Sequence, residues 1–543
     1  MVFARRSTTL LAAIIASCAM VLSLTACTSD NKTVVDGQTT VTSNSAGGVA
    51  VFTPSDGITL NQQMPLNKWA KLMPDLTKAL VDAGFKKGDI NHTTSDSLDK
   101  QSRAIQDFVV DHLSNNTTDD SGIAIAPDNM TLLVAPVVEA DASTRQYGDY
   151  VSQNLSTNDV TDEGATSDGE SSEDDSSKDD SSNTESDSTA SDEQAQAVDR
   201  LVSSLKLAKE SGMHVVLLGN SIEGYKPDAF VKFSDAQTIG KLQAEKMVSK
   251  LKLDKASKDN PKYIEVLLPY TAMDEKGNAN DSTFAQEAFR GIWQVLGSYY
   301  QKGVVESPSG TLDGKSTEND WQAVAYDAAK EGSTAKVLDK RLAKTDGQST
   351  LTRIDGIITM NDYIASEVVK ELDDLGYTGS AADINPQITI SGIVGNITGK
   401  KDLSRDAVPD PIKSPENDNA NDSSSSDDDA DKDTSASDKD RDSQWPLVTG
   451  YGAYVSNIPS IVNGKQWMTG MEDRQTIATD IAQACAKLNK DEALNSMPSI
   501  RNSEVGGVKK IPTISEPLLA VSASNLKSAL IDPGYISLAD AGL

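Results

Sequence analysis

A chain of 543 residues with a formal net charge of −31 is long enough for two to four domains. Its acidity argues against nucleic acid as a partner, because binding to a phosphate backbone depends on clustered Lys and Arg. Cys18, Cys27 and Cys485 are its only cysteines, which excludes a disulfide framework.

Taken in chain order, Arg5 and Arg6 precede an apolar stretch from Leu10 to Leu24 that is short for a membrane span and reads as a secretory signal over residues 1–26. Leu24-Thr25-Ala26-Cys27 resembles the lipobox of bacterial lipoproteins. That resemblance implies cleavage before Cys27, acylation (palmitate) of its thiol, and a lipid-anchored protein on the extracytoplasmic face of the cell membrane. Residues 27–47, rich in Ser, Asp, Asn, Thr and Gly, suit a flexible tether. No later segment is apolar for long enough to cross a bilayer.

The charge is concentrated in two places. Asp159 to Glu193 holds 14 acidic residues against Lys178 alone, and Glu416 to Asp442 holds 11 against three basic ones. Both runs are rich in Ser and Asp and nearly devoid of large apolar residues, so they cannot offset the entropy of ordering. We expect disordered acidic inserts over 156–194 and 414–443. Asp429, Asp431 and Asp433 alternate like calcium-loop ligands, but Thr434 stands where such a loop needs glycine and no glutamate closes it. No metal or cofactor is expected.

The remainder alternates short apolar strands with amphipathic helices, as a parallel α/β sheet does. Strands are expected at Gly48–Phe52, Thr131–Val138, His214–Gly219, Tyr263–Leu268 and Gly356–Met360. Helices are expected at Trp69–Ala83, Asp99–Leu113, Ala195–Glu210, Thr283–Tyr300, Trp321–Leu338 and Ile364–Leu375, several stopped by a following glycine. Ile477 to Ala486 carries a small-residue helical pattern that makes Cys485 a buried thiol. Ligands of open sheets sit beyond the carboxyl ends of the strands, so the residues after each strand matter most.

Several segments together resemble the type 1 periplasmic binding proteins, the sugar-binding receptors of ABC importers, and within them the xylose and multiple-sugar binders. These are Lys68-Trp69 and the helix to Ala83-Gly84-Phe85, Gln101 to Val109, Leu132 to Pro136, Asp235 to Gln243, Asn361-Asp362 with Ala365, and Gly464 to Thr469 leading to Asp473-Arg474. The resemblance implies two Rossmann-like lobes with parallel sheets joined by a three-stranded hinge. It places the N-lobe at 48–232 with a return at 474–508, and the C-lobe at 233–473 with 509–543. It further implies a monomeric receptor that closes on a sugar or polyol and is sensed by ABC permease membrane subunits.

Sugar recognition uses aromatic faces and planar polar groups that bond paired hydroxyls. Trp69 stands where the resemblance places an early cleft residue, and suits either a ring-stacking role or a core tryptophan at the helix start. Asn361 and Asp362 match its cleft pair and also suit a helix N-cap. Asn280 and Asp281 precede the Thr283 helix in the same way. Departures from the family pattern fall at Asn220-Ser221, where relatives carry Asp-Arg, and at Gly450-Tyr451-Gly452-Ala453, where relatives carry an aspartate. Both losses remove charge-assisted hydrogen bonds, and Tyr451, Tyr454 and Tyr225 offer a more aromatic site in their place.

An enzyme is disfavoured, since His92, His112 and His214 are widely spaced and Gly219 to Gly224 has its second glycine one place too late for a nucleophile elbow. A sensor or surface-interaction lipoprotein that uses the same fold without transport is the alternative.

Overall fold

The computed structural model describes residues 46–56, 65–115, 125–138, 144–156, 185–272, 281–343, 351–382 and 443–543, together with the backbone of 32–35 and 38–41. Cys27, Asn280 and residues 414–442 of the second acidic insert lie outside the described residues, as does most of the first. Lys32–Val35 and Gln38–Val41 form an antiparallel hairpin within the stretch expected as a tether, in a unit of its own. Everything from Ala46 onward forms the second unit. Ala46 is already buried and donates its N–H to the Gly84 carbonyl (3.1 Å), so this unit starts two residues before the expected strand.

Among its described residues that unit contains two short two-stranded pairs, Asn154–Leu155 with Ser221–Ile222 and Leu268–Pro269 with Ala325–Tyr326, and two large sheets. The first is built from β1 (Gly48–Pro54), β2 (Ile90–Ser95), β3 (Met130–Val134), β4 (His214–Leu218) and β5 (Ala229–Lys232). The second is built from β6 (Lys262–Val266), β7 (Val305–Glu306), β8 (Gly356–Ile358), β9 (Leu447–Tyr451) and β10 (Met468–Met471). The chain then returns to the first sheet with β11 (Ile500–Val505) and β12 (Val508–Ser515) and ends in the second with β13 (Leu519–Ser522). The orders are β11-β12-β5-β4-β3-β1-β2 and β7-β6-β8-β9-β10-β13. All pairs are parallel except β11 with β12 and β10 with β13.

Strand alternation divides the first sheet's side chains between two cores. Val49, Val51, Leu133, Val216 and Val231 face α1 (Trp69–Asp82) and α9 (Arg474–Leu488). Ala50, Phe52, Leu132, Val134, Val215 and Leu217 face α2 (Leu98–Asn115) and α3 (Glu185–Glu210). In the second sheet Ile264, Val266 and Ile358 pack with α4 (Ala236–Leu251) and α5 (Thr283–Gln301), while Ile357 and Val448 pack with α6 (Ser333–Arg341) and α7 (Asp362–Leu375). A short α8 (Ile458–Val462) follows β9. Both sheets are thus covered on both faces, and the fold is the two-lobed α/β architecture expected.

Three crossings join the lobes, at residues 233–235, 472–473 and 516–518. The first ends in Asp235, whose carboxylate accepts the Thr238 N–H (2.7 Å) while the Thr238 hydroxyl accepts the Asp235 N–H (3.0 Å), a capping box on α4. The second ends in Asp473, which accepts the Thr476 N–H (3.2 Å) and caps α9.

The structure corrects several sequence expectations. β12 pairs with β5 through Ser515, so the chain leaves the first sheet after residue 515 and not at 509. α3 begins at Glu185, inside the segment expected to be disordered. The single helix expected over Trp321–Leu338 is broken. Ala325–Tyr326 pairs in parallel with Leu268–Pro269, and Gly332 restarts the helix from a left-handed conformation (φ 69°). Edge strand β2 was missed because its Ile-Asn-His-Thr-Thr-Ser run is polar and largely exposed.

Candidate functional site

The loops that follow the strands of both sheets meet at the junction between the lobes. From the N-lobe comes the loop after β1, where the Leu66 N–H donates to the Gly452 carbonyl beyond β9 (2.8 Å). Leu66 itself packs in a C-lobe core with Ala453 and Ile458. From the C-lobe come the loops after β8 and β9, in which Met360 and Ala453 hold positive φ values of 68° and 49°. Such backbone in a non-glycine residue persists only where the surroundings impose it, and it clusters at ligand clamps and switches.

Between these loops lies the segment from Thr144 to Val151, part of the long excursion between β3 and α3. Its Gln146 carbonyl accepts the Tyr454 hydroxyl (2.6 Å), and its side-chain Oε1 accepts the Asn361 Nδ2–H (3.1 Å). Tyr147 is fully buried, with its ring 4.7 Å from Phe284 and 6.2 Å from Tyr451, centroid to centroid. Both Tyr147 and Val151 belong to the C-lobe core.

The other side of the segment is fastened to the N-lobe. Asp149 accepts from Lys68 Nζ (2.6 Å) and from the Trp69 N–H (3.1 Å), and its own N–H donates to the Asn67 carbonyl (2.8 Å). Asp56 accepts the Ala70 N–H (3.0 Å), so two carboxylates satisfy the first amides of α1 that its own N-cap leaves open. Burial pushes the Asp149 carboxyl up to about 6, against the opposing pull of Lys68. Gly148 lies at φ 95°, and a Cβ there would sit 2.6 Å from the Asn67 carbonyl oxygen, so only glycine passes this point. Tyr150 stacks against Phe233 (4.8 Å) and meets Trp69 edge-on (5.0 Å).

The predicted site residues take different places. Trp69 is 2% exposed in the N-lobe core, wedged by Tyr150 and Phe233, so its faces are used for packing and not offered to a ring. Asn220 donates to the Pro136 carbonyl (2.9 Å) and accepts the Gln153 N–H (3.0 Å), holding the chain on both sides of the Thr144–Val151 segment. Asn361 caps α7 by accepting the Ile364 N–H (2.9 Å) and also reaches across to Gln146.

Asp362 is wholly buried beneath the junction. It accepts from the Tyr454 N–H (2.9 Å), Gln466 Nε2 (2.7 Å) and the Thr469 hydroxyl (2.8 Å), and burial pushes its carboxyl up to about 6. Gly450 makes room, because a Cβ there would come 2.2 Å from Asp362 Oδ1. Asp362 therefore positions the loop that carries Tyr454.

The Tyr451 hydroxyl lies within hydrogen-bonding distance of both Ser234 Oγ (2.6 Å) and Glu472 Oε1, with its one proton shared between these two acceptors, tying the end of β9 to the first and second crossings. Ser234 also donates to Glu472 Oε1. Burial raises the Glu472 carboxyl, and its Oε2 has no partner among the described residues. Asp281 is exposed and accepts the Thr283 N–H (2.9 Å) at the start of α5. Tyr225 packs inside the N-lobe.

Sequence reasoning missed Gln146, Tyr147 and Phe284. The available signal was the Arg-Gln-Tyr-Gly-Asp-Tyr run at 145–150, two tyrosines about a glycine beside a Ser/Asp-rich insert. The histidines do not converge. His92 pairs with Thr53 Oγ1 (2.9 Å), His112 stacks on Phe108 (5.8 Å), and His214 contacts the Asp128 carbonyl (3.2 Å). Ser221 donates to Asn154 Oδ1 (2.8 Å).

No family model and no curated protein matches this chain. Among solved structures, it is similar to an ABC transporter solute binding protein from Clostridium phytofermentans with bound beta-D-glucose, at 17% identity and a TM-score of 0.44, over 91% of this chain and 99% of that one. It is also similar to a carbohydrate transporter solute binding protein from Chloroflexus aurantiacus in complex with D-glucose, at 17% identity and a TM-score of 0.43, over 92% and 98%. A third is an ABC transporter solute binding protein from Bacillus halodurans with bound myo-inositol, at 11% identity and a TM-score of 0.35, over 90% and 98%.

Proposed function

We propose that this chain is the extracytoplasmic, lipid-anchored receptor of an ABC importer, which captures a sugar or related polyol between its lobes and works by binding, not catalysis. The observation that carries this reading is the convergence of strand-end loops from both sheets on one junction, with three short crossings behind them and strained backbone at Met360 and Ala453 on its rim. Such a junction is where a doubly wound fold takes a ligand, and the amides and hydroxyls of Asn67, Asn361 and Tyr454 suit hydroxyl groups. Asn67 Nδ2 is buried there without a partner among the described residues. Membrane attachment through Cys27 rests on the lipobox, and the permease partner on the sequence resemblance.

The test is a thermal-shift screen of the chain from Thr28 onward against monosaccharides, disaccharides and polyols. A solute at about 100 times its Kd stabilises the folded state by roughly 2.7 kcal/mol, and a panel without any shift counts against the sugar assignment. Filling of the junction by Tyr147 favours a second reading, a surface lipoprotein that uses the fold without transport. A silent screen together with a native partner captured on the closed form supports that reading.

A further inference from the structure

We propose that the segment Thr144–Val151 is a built-in occupant of the interlobe site, on which the lobes close when no solute is present. The inference rests on the solute-binding reading for its last step only.

Three observations carry it. First, the segment belongs by connectivity to the N-lobe, between β3 and α3, yet Tyr147 and Val151 sit in the C-lobe core and are 0% and 4% exposed. Second, its contacts on the C-lobe are those of a bound molecule. An aromatic ring lies against Phe284 and Tyr451, and two acceptors, Gln146 Oε1 and the Gln146 carbonyl, meet two donors, Asn361 Nδ2 and the Tyr454 hydroxyl. Third, the segment is anchored at its other face to the start of α1 through Asp149 and Tyr150 and to the first crossing through the Ser152 N–H on the Ser234 carbonyl (3.0 Å). One strip of chain thus joins N-lobe, C-lobe and hinge.

The chemistry of the displaced segment defines what displaces it. A competing solute presents one flat, largely apolar face to Phe284 and Tyr451 and two hydrogen-bond acceptors at its rim to Asn361 and Tyr454. A pyranose, with its C–H face and ring of hydroxyl oxygens, has both. Solute and segment are mutually exclusive, so apparent affinity falls by the fraction of molecules in which the segment is seated.

The experiment measures the distance between spin labels on exposed Asp111 of α2 and exposed Lys340 of α6 by pulsed electron resonance, without solute. Wild type is expected to give one short distance, and Q146A/Y147A a second, longer one. Circular dichroism establishes that the variant is folded, and Tyr147→Phe, which keeps the ring, is expected to retain the short distance. An unchanged distribution in folded Q146A/Y147A, or an open wild type, overturns the proposal. For any sugar that binds, affinity is expected to rise about tenfold in the double variant if the segment is seated nine times in ten, and an equal affinity overturns the competition. A variant that opens but binds no sugar sinks the sugar reading and leaves the occupant in place.

Discussion

The two walls of the lobe junction are built by opposite means. The C-lobe wall consists of short loops after β8 and β9, cross-braced from below by one buried carboxylate, Asp362, with Gln466, Thr469 and the Tyr454 amide as donors. The N-lobe wall belongs to a long excursion that leaves β3; Asn220 bonds it at Pro136 and at Gln153, and Asp149 pins it to α1. The first wall is rigid because its polar groups satisfy each other out of water, where leaving any one unpaired is costly. The second is attached by a handful of contacts that can be released one at a time. A binding junction needs one surface that keeps its shape and one that yields, and the division of labour follows from where the burial lies.

The contrast can be broken most severely at Trp69. Trp69→Ala removes a 2% exposed indole from the N-lobe core and is expected to cost about 3–5 kcal/mol in urea unfolding. The C-lobe wall should remain intact, read by unchanged fluorescence of Trp445 and Trp467 in the folded baseline. Asp362→Ala comes next. It strands three buried donors and is expected to cost about 2–4 kcal/mol, with loss of order in the Tyr454 loop seen by hydrogen exchange. A variant as stable as wild type would show that Asp362 braces nothing.

A pH series sharpens the same point. The Asp362 carboxyl is raised to about 6 from its usual 3.8, so the folded protein takes up a proton there that the unfolded chain does not. Its contribution to stability is fully present below 3.8 and is lost as pH rises through about 6. Between pH 7 and 4, wild type should therefore gain stability relative to Asp362→Asn, by about 1.4 kcal/mol for every tenfold by which the folded carboxylate binds its proton more tightly than the unfolded one. Parallel curves for the two proteins would remove that titration. The smallest effect belongs to Asn361→Ala, which deletes the cap of α7 and one bond to Gln146. It is expected to cost about 1 kcal/mol and to increase the mobility of residues 144–151 without touching the N-lobe core.

Much of this architecture was legible because parallel sheets buried on both faces write their strands as apolar runs, as Leu132-Leu133-Val134 and Val215-Val216-Leu217-Leu218 do. The start of α4 was marked only by the family resemblance of Asp235 to Gln243; the capping box that Asp235 and Thr238 form there went unread. The junction was less so. Asn361, Asp362 and Tyr451 were found by their position after strands, but position does not say whether a side chain faces outward or into the loop's own foundation. Asp362 turned inward because Gly450 leaves a hole there, a relation between residues 88 positions apart in the sequence. Gln146 and Tyr147 were missed for a different reason. The aromatic run at 145–150 marks the segment, but their partners Asn361, Phe284 and Tyr454 lie in the other lobe, and no local pattern records that pairing.

The crossings carry a consequence for how this chain tolerates change in length. Lys232 ends β5, Asp235 caps α4, and two residues separate them; Met471 ends β10 and Asp473 caps α9 after one. One extra residue at either place would unseat the cap from its helix, or else turn the helix by about 100° and carry its apolar stripe away from the sheet. The same chain accommodates dozens of residues between β3 and α3. Length is thus generous between those two elements and fixed to the single residue where the two lobes hand over to each other.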